Sequence, residues 1–304
     1  MNILEKYCTQ RCSKEEEVHD LRRERVIRPL AALAACLLLA IFLSLCAGSA
    51  AIPLREVISI LLSGAEAGAG RYGDIIFYAR LPRIAGALLA GGALAASGAI
   101  LQSLLNNPLA GPNIIGVNSG AGLFAVLAAL LFPGQPAVTS LFSFLGAVFA
   151  TLLVYLIAYK SGASRLVIVL AGVAIGSFLG ALIDSLIAMN PQIAMDRSFF
   201  LVGGLSGISM SRLFIPGFLI LSGLISARMF SYDLDLLALG DETAASLGLN
   251  VRRFRLLYIV IAALLAGSAV SFTGLLGFVG LIVPHLTRLL CGHENRRVLM
   301  LSPL

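Results

Sequence analysis

Few side chains in this chain of 304 residues could do chemistry, and their spacing excludes most of it. Lysine occurs only at Lys6, Lys14 and Lys160, and none stands in a G-x-x-x-x-G-K-[ST] loop. The chain therefore has no P-loop of its own with which to cradle a nucleotide. The histidines are His19, His285 and His293, and neither H-E-x-x-H nor G-x-S-x-G occurs, which leaves a protease or hydrolase without machinery. Cys8 and Cys12 form one C-x3-C pair in a polar tail, with no second pair or histidine cluster, so free thiols are expected and no metal site. Cys36 and Cys46 lie in an apolar run, as small lipid- or core-facing residues. Two titratable groups fall within apolar stretches: Asp184 in GALIDSLIAMN, and His285 directly after Pro284. Asp184 would either touch substrate in an outer vestibule or sit solvated at a helix end. His285 would hydrogen-bond locally beside a proline kink or pass a proton. Two scattered groups make a thin relay for ion-coupled transport, so the energy is expected from a partner.

The remaining charges of interest are Arg80 and Arg83, which bracket Leu81-Pro82. Beyond them, from Ile84 to Tyr159, there is no Asp, Glu, Lys or Arg. Such a stretch needs an element that hides it from water. Overall 59% of the residues are hydrophobic and 12% charged, with a mean hydropathy of +0.95. A soluble domain carries about 25% charged residues, so this chain cannot cover a water-facing globule and reads as a polytopic, all-α membrane helix bundle. The net charge of +6 comes from basic residues dispersed between apolar runs, which argues for orientation in a bilayer and against nucleic acid.

Apolar windows long enough to span a bilayer fall near 29–48, 83–105, 114–132, 137–159, 166–189, 212–228, 255–273 and 275–290. A shorter piece, Phe199 to Ile208, reads as re-entrant or interfacial. Residues 1–28 form a polar tail ahead of a membrane domain over 29–304. LRRERVIR followed by an apolar run and CAGSAA resembles a cleavable signal, but the long charged lead and the further spans favour an uncleaved first helix. The arginine and lysine bias places the N-terminus in the cytoplasm. Arg80 and Arg83 then lie outside, at the mouth of the second span.

That second span carries Gly86, Ala90, Gly91, Ala95 and Gly98 at small-xxx-small spacing, which lets helix backbones approach closely and predicts a central, surrounded helix. It ends in Gln102 and NNPLAGPN, where Pro108, Gly111 and Pro112 break the helix. Gln102, Asn106, Asn107 and Pro108 at membrane depth predict a polar path near the inner side. Residues 231–250, SYDLDLLALGDETAASLGLN, form the one sizeable polar segment after the first span. Asp241 is expected to cap a short helix, with Glu242 at its positive end and Gly248 at its stop. An ordered amphipathic cytoplasmic segment would seat either on another protein or on its own membrane domain.

Three stretches together resemble the FecCD-type permeases: RLPRIAGALLAGGALAASGAILQSLLNNPLAGPNIIGVNSGAG, LDLLALGDETAASLGLNVRRFR and GLLGFVGLIVPHLTRLL. These are the membrane subunits of binding-protein-dependent (type II) ABC importers for iron-siderophores, haem and cobalamin (vitamin B12). The resemblance implies a ten-span, all-α subunit that works as a dimer, most simply a homodimer, in the inner membrane. A periplasmic or lipid-anchored binding protein would deliver the metal chelate. ATP-binding cassette subunits, which hold the ATP and Mg that this chain does not, would drive alternating access. It further implies that Arg80 and Arg83 dock the binding protein. Leu239, Gly240, Asp241, Glu242, Ala244, Leu247 and Gly248 would contact the ATPase. The loop from Lys160 to Arg165 would form an inner gate, with its constriction at Ala163 and Ser164. Gly111 departs from the family, which often has an acid there. The family also continues past GHENRRVLMLSP with two further spans, so eight of ten are expected here, with a truncated C-terminus.

Overall fold

The computed structural model describes residues 30–48, 50–67, 71–162, 164–190, 200, 202–292 and 294–303. The described segments are helices, turns and irregular stretches, without a strand among them. The first helix, α1, runs Leu30–Cys46. An outer helix, α2 (Leu54–Ala67), follows, and then α3 (Arg71–Asp74). Long apolar helices α4 (Leu81–Leu105), α5 (Val117–Leu131), α6 (Pro136–Lys160), α7 (Arg165–Met189) and α8 (Met210–Met229) come next. Two short polar helices, α9 (Ser231–Ala238) and α10 (Asp241–Ser246), lead into α11 (Val251–Thr273), α12 (Val279–Cys291) and α13 (Asn295–Leu301). Among the described residues, five helical stretches are long and apolar enough to cross a membrane, and α1, α5 and most of α12 are shorter apolar helices. They fall on the eight predicted windows.

The second span departs from expectation at its start. It is one helical stretch from Tyr72 to Leu105, interrupted by a π-helical turn at Ile75–Arg80. The cause is Pro82, which lacks an N–H and whose ring would collide with the carbonyl four residues back, at Tyr78. Widening the turn relieves this collision, and the Leu81 amide accordingly bonds to the Ile76 carbonyl, five residues back.

From Pro82 inward, α4 is the centre of the bundle. Its C-terminal half, Gly92 to Leu105, is buried throughout, packed on α11 and α12, while Gly86 and Leu89 earlier in the helix meet α8. The packing explains why so few large side chains occur along it. A Cβ placed on Gly98 would lie 1.6 Å from the Gly280 carbonyl oxygen of α12, so only glycine permits this crossing. The α5–α6 pair repeats the device, because a Cβ on Gly120 would lie 2.2 Å from the Gly146 oxygen. Ser97 adds a polar tie, its Oγ donating to the Ala262 carbonyl of α11 over 2.8 Å. By contrast α7 is only lightly enclosed, with Leu166, Leu170, Val173 and Phe178 all exposed.

Candidate functional site

At the outer mouth the two arginines have separate fates. Arg80 ends the π turn and is buried, its guanidinium donating to the carbonyls of Leu45 at the end of α1 and of Ala50 in the α1–α2 connection. That connection folds tightly around it: a Cβ on Gly48 would lie 3.1 Å from Arg80 Nη2. Arg83, three residues on, is exposed and reaches Ser206 Oγ at 3.4 Å. The expectation of two outward arginines is therefore corrected. The wide turn aims Arg80 inward as a staple between α1, α2 and α4, and Arg83 alone faces solvent.

The inner end of α4 holds a second surprise. Gln102 is buried and both ends of its amide are used, Nε2 on the Leu281 carbonyl at 3.1 Å and Oε1 on Arg288. Arg288 of α12 also donates to Ser103 Oγ at 2.9 Å and to the Ala99 carbonyl at 3.1 Å. Ser103 in turn donates to Asn295 Oδ1 over 2.5 Å. Asn295 closes the chain by giving both its backbone N–H (2.9 Å) and its Nδ2 (2.8 Å) to Asp235 of α9. A polar string thus ties α9 of the 231–250 segment to α13, α4 and α12. The path role expected for Gln102 is corrected to a lock, since its hydrogen-bonding groups face helices. Sequence reasoning found Gln102 but missed Arg288, Asn295 and Asp235. An arginine and an asparagine flanking an apolar helix were the available signal.

Past α4, Asn106 takes a left-handed backbone (φ 47°), and Asn107 Oδ1 accepts from the Leu109 N–H at 2.9 Å. With Pro108 exposed, these residues build the turn that ends α4. Ser164 caps α7, its Oγ accepting from the Val167 N–H at 3.3 Å, while Ala163 lies outside the described residues. Asp184 is exposed on α7 near its C-terminal end, and His285 is exposed on α12. Another feature missed from sequence is Phe278, which holds φ 63° ahead of α12 and is exposed, in the unwound stretch between α11 and α12.

The polar segment 231–250 folds as two short helices joined at Gly240 (φ 120°). The expectation that Asp241 caps α10 is corrected: Gly240 occupies the cap position, without a side-chain cap, and Asp241 is the first helical residue. Its carboxylate instead meets Arg255 Nη2 at 2.5 Å and Arg165 Nη2 at 3.6 Å. Leu234, Leu237 and Ala244 are buried against the bundle, which corrects the expected outward role of Ala244. Leu239 and Leu247 project outward, with Glu242 exposed between them and Gly248 (φ 88°) ending the segment. Tyr258 anchors the start of the segment by donating its hydroxyl to the Phe230 carbonyl. Among Asp235's surroundings, burial raises its pKa above the usual carboxylate value, partly offset by the two bonds from Asn295.

A multi-pass bundle of apolar helices carrying one structured polar segment suits a transport permease. The FecCD transport family matches residues 36–304, and this chain belongs to it. The Fe(3+)-citrate import system permease protein YfmD of Bacillus subtilis is 36% identical over 230 residues, covering 76% of this chain and 69% of that protein. The vitamin B12 import system permease protein BtuC of Vibrio cholerae is 35% identical over 278 residues, covering 88% of this chain and 80% of BtuC. A transporter assigned to the metal-chelate ABC type, solved in an inward-facing conformation, superposes with a TM-score of 0.79 at 28% identity. That match covers 90% of this chain and 85% of the solved one. The chain is thus of the ABC importer permease class, a membrane subunit rather than an enzyme in itself.

Proposed function

We propose that this chain carries a metal chelate, with ferric siderophores as the leading class and haem or cobalamin as alternatives, into the cytoplasm as half of a permease homodimer. Two separate ATPase subunits, holding ATP and Mg, drive alternating access, and an external binding protein delivers the chelate. The observation that carries this reading is the 231–250 segment, ordered and fastened to the bundle yet presenting Leu239 and Leu247 to solvent. Leu239, Leu247 and Tyr232, all exposed on this otherwise polar segment, offer a partner apolar side chains to cover. In this reading the N-terminus is cytoplasmic, Arg83 helps the binding protein find its register, and the α6–α7 turn with Ser164 gates the inner side. Exposed ion pairs are individually weak and salt-sensitive, so Arg83 contributes mainly to capture rate.

The test is reconstitution in proteoliposomes with a cognate ATPase and binding protein, followed by chelate uptake. Uptake that needs ATP and all three components is expected. Uptake that persists without the ATPase, follows a proton or sodium gradient and fails in Asp184→Asn would establish a secondary transporter instead. A stable ATPase complex that moves no chelate would leave a scaffold or sensor.

A further inference from the structure

The α6–α7 turn and the cytoplasmic segment are far apart in sequence but meet at one carboxylate. Arg165, the first residue of α7, directly follows the turn. Its Nη2 donates to the Leu237 carbonyl at 2.6 Å, in the last turn of α9, and lies 3.6 Å from Asp241 Oδ1 at the start of α10. Arg255 of α11, only 3% exposed, places its Nη2 2.5 Å from the same oxygen. Three elements therefore share Asp241: the short helix α10, the lightly enclosed helix α7 and the deeply buried helix α11.

We propose that Asp241 is the joint that passes movement of the cytoplasmic segment to α7 and the turn in front of it. The inference rests on the reading that this segment seats an ATPase, and concerns what happens once the segment is pushed. The roles follow from packing. Within the bundle, 72% of the α11 window is buried but only 28% of the α7 window, so α11 serves as the fixed post and α7 as the part that yields. The six-residue α10 lies between glycines at positive φ, Gly240 and Gly248, positions that absorb backbone rotation with little strain. A tilt of α10 about the close Arg255 contact changes the longer Arg165 contact first. Arg165 also grips α9, so α7 must follow the segment or break two interactions. A planar guanidinium can hold a carbonyl and a carboxylate together, whereas an ammonium is a point donor.

Two measurements test this on the reconstituted complex with Arg165→Ala and Arg165→Lys. The ATPase complex of Arg165→Ala is expected to assemble and hydrolyse ATP within about twofold of wild type, while chelate moved per ATP falls about tenfold, a coupling loss of ordinary allosteric size. Arg165→Lys should fall between. Unchanged chelate per ATP, or failure of both variants to assemble, overturns the proposal. The second measurement needs no transport, which separates it from failure of the permease reading. Spin labels at the exposed residues Ser161, in the turn, and Ser246, in α10, should keep one distance in the wild type when the bound ATPase takes up ATP. In Arg165→Ala that distance should split or shift. A wild-type distance that changes with ATP refutes the joint.

Discussion

Gly98 and Gly91 stand seven residues apart on α4 and invite the same substitution with opposite results. A Cβ on Gly98 would lie 1.6 Å from the Gly280 oxygen, 2.5 Å from its carbonyl carbon and 2.8 Å from its Cα, all of them backbone atoms. An ordinary contact needs about 3.5 Å, so Gly98→Ala must push α4 and α12 apart by roughly 1.9 Å. The bond from Gln102 Nε2 to the Leu281 carbonyl, now 3.1 Å, cannot survive that shift. Overpacking costs about 1–3 kcal/mol and a hydrogen bond within a membrane about 0.6 kcal/mol, against a gain of about 1 kcal/mol from replacing a helical glycine. Gly91→Ala keeps that gain without the penalty, because a Cβ there has nothing within 4 Å. The two variants should therefore differ by about 2–4 kcal/mol, or roughly 4–16 °C in Tm at about 2–4 °C per kcal/mol. Thermal unfolding of the detergent-solubilised protein, followed by size-exclusion chromatography of heated samples, reads the difference. Equal melting of the two variants would refute the claim that a backbone contact fixes the α4–α12 crossing.

Other outcomes follow from the site. Arg83→Glu should slow binding-protein capture, most visibly at low salt, and leave the melting temperature unchanged. Arg80→Gln should do the reverse, lowering stability through the loss of charged bonds to the Leu45 and Ala50 carbonyls, each worth about 1.5–3 kcal/mol. Leu239→Ser with Leu247→Ser should weaken pull-down of the ATPase without altering the fold, because both side chains are exposed. Asp235 has a folded-state pKa above its unfolded value because burial disfavours the carboxylate. Its protonated form is thus favoured in the fold, and that contribution is complete below the unfolded pKa of about 3.9 and lost as pH rises through the folded one. Asp235→Asn keeps the acceptor for Asn295 and should flatten this pH dependence of the melting temperature between pH 4 and 8.

The membrane class and the placing of the spans were legible because they depend on composition over some twenty residues, which any arrangement of the helices must respect. The polar segment 231–250 was legible as well, since it is an island among apolar runs. Individual roles were harder. Asp241 carries the residue type of a helix cap, and its partners Arg165 and Arg255 become neighbours only when three elements converge. Gln102 read as a polar path because its lock partner Arg288 lies far along the chain.

The sequence by itself determined that this chain is a bundle of apolar helices with a small-residue second span and one ordered polar segment. Hydropathy and the spacing of small residues are local properties, and the bilayer acts on them directly. Tertiary structure decided which members of a matched pair carry the load. Arg80 and Arg83 are the same residue three positions apart, but a π turn forced by Pro82 sends one inward and leaves the other in solvent. Gly91 and Gly98 belong to the same small-residue pattern, but only Gly98 meets another backbone. Such differences arise from contact between distant segments, and contact depends on the three-dimensional crossing of helices rather than on either local sequence.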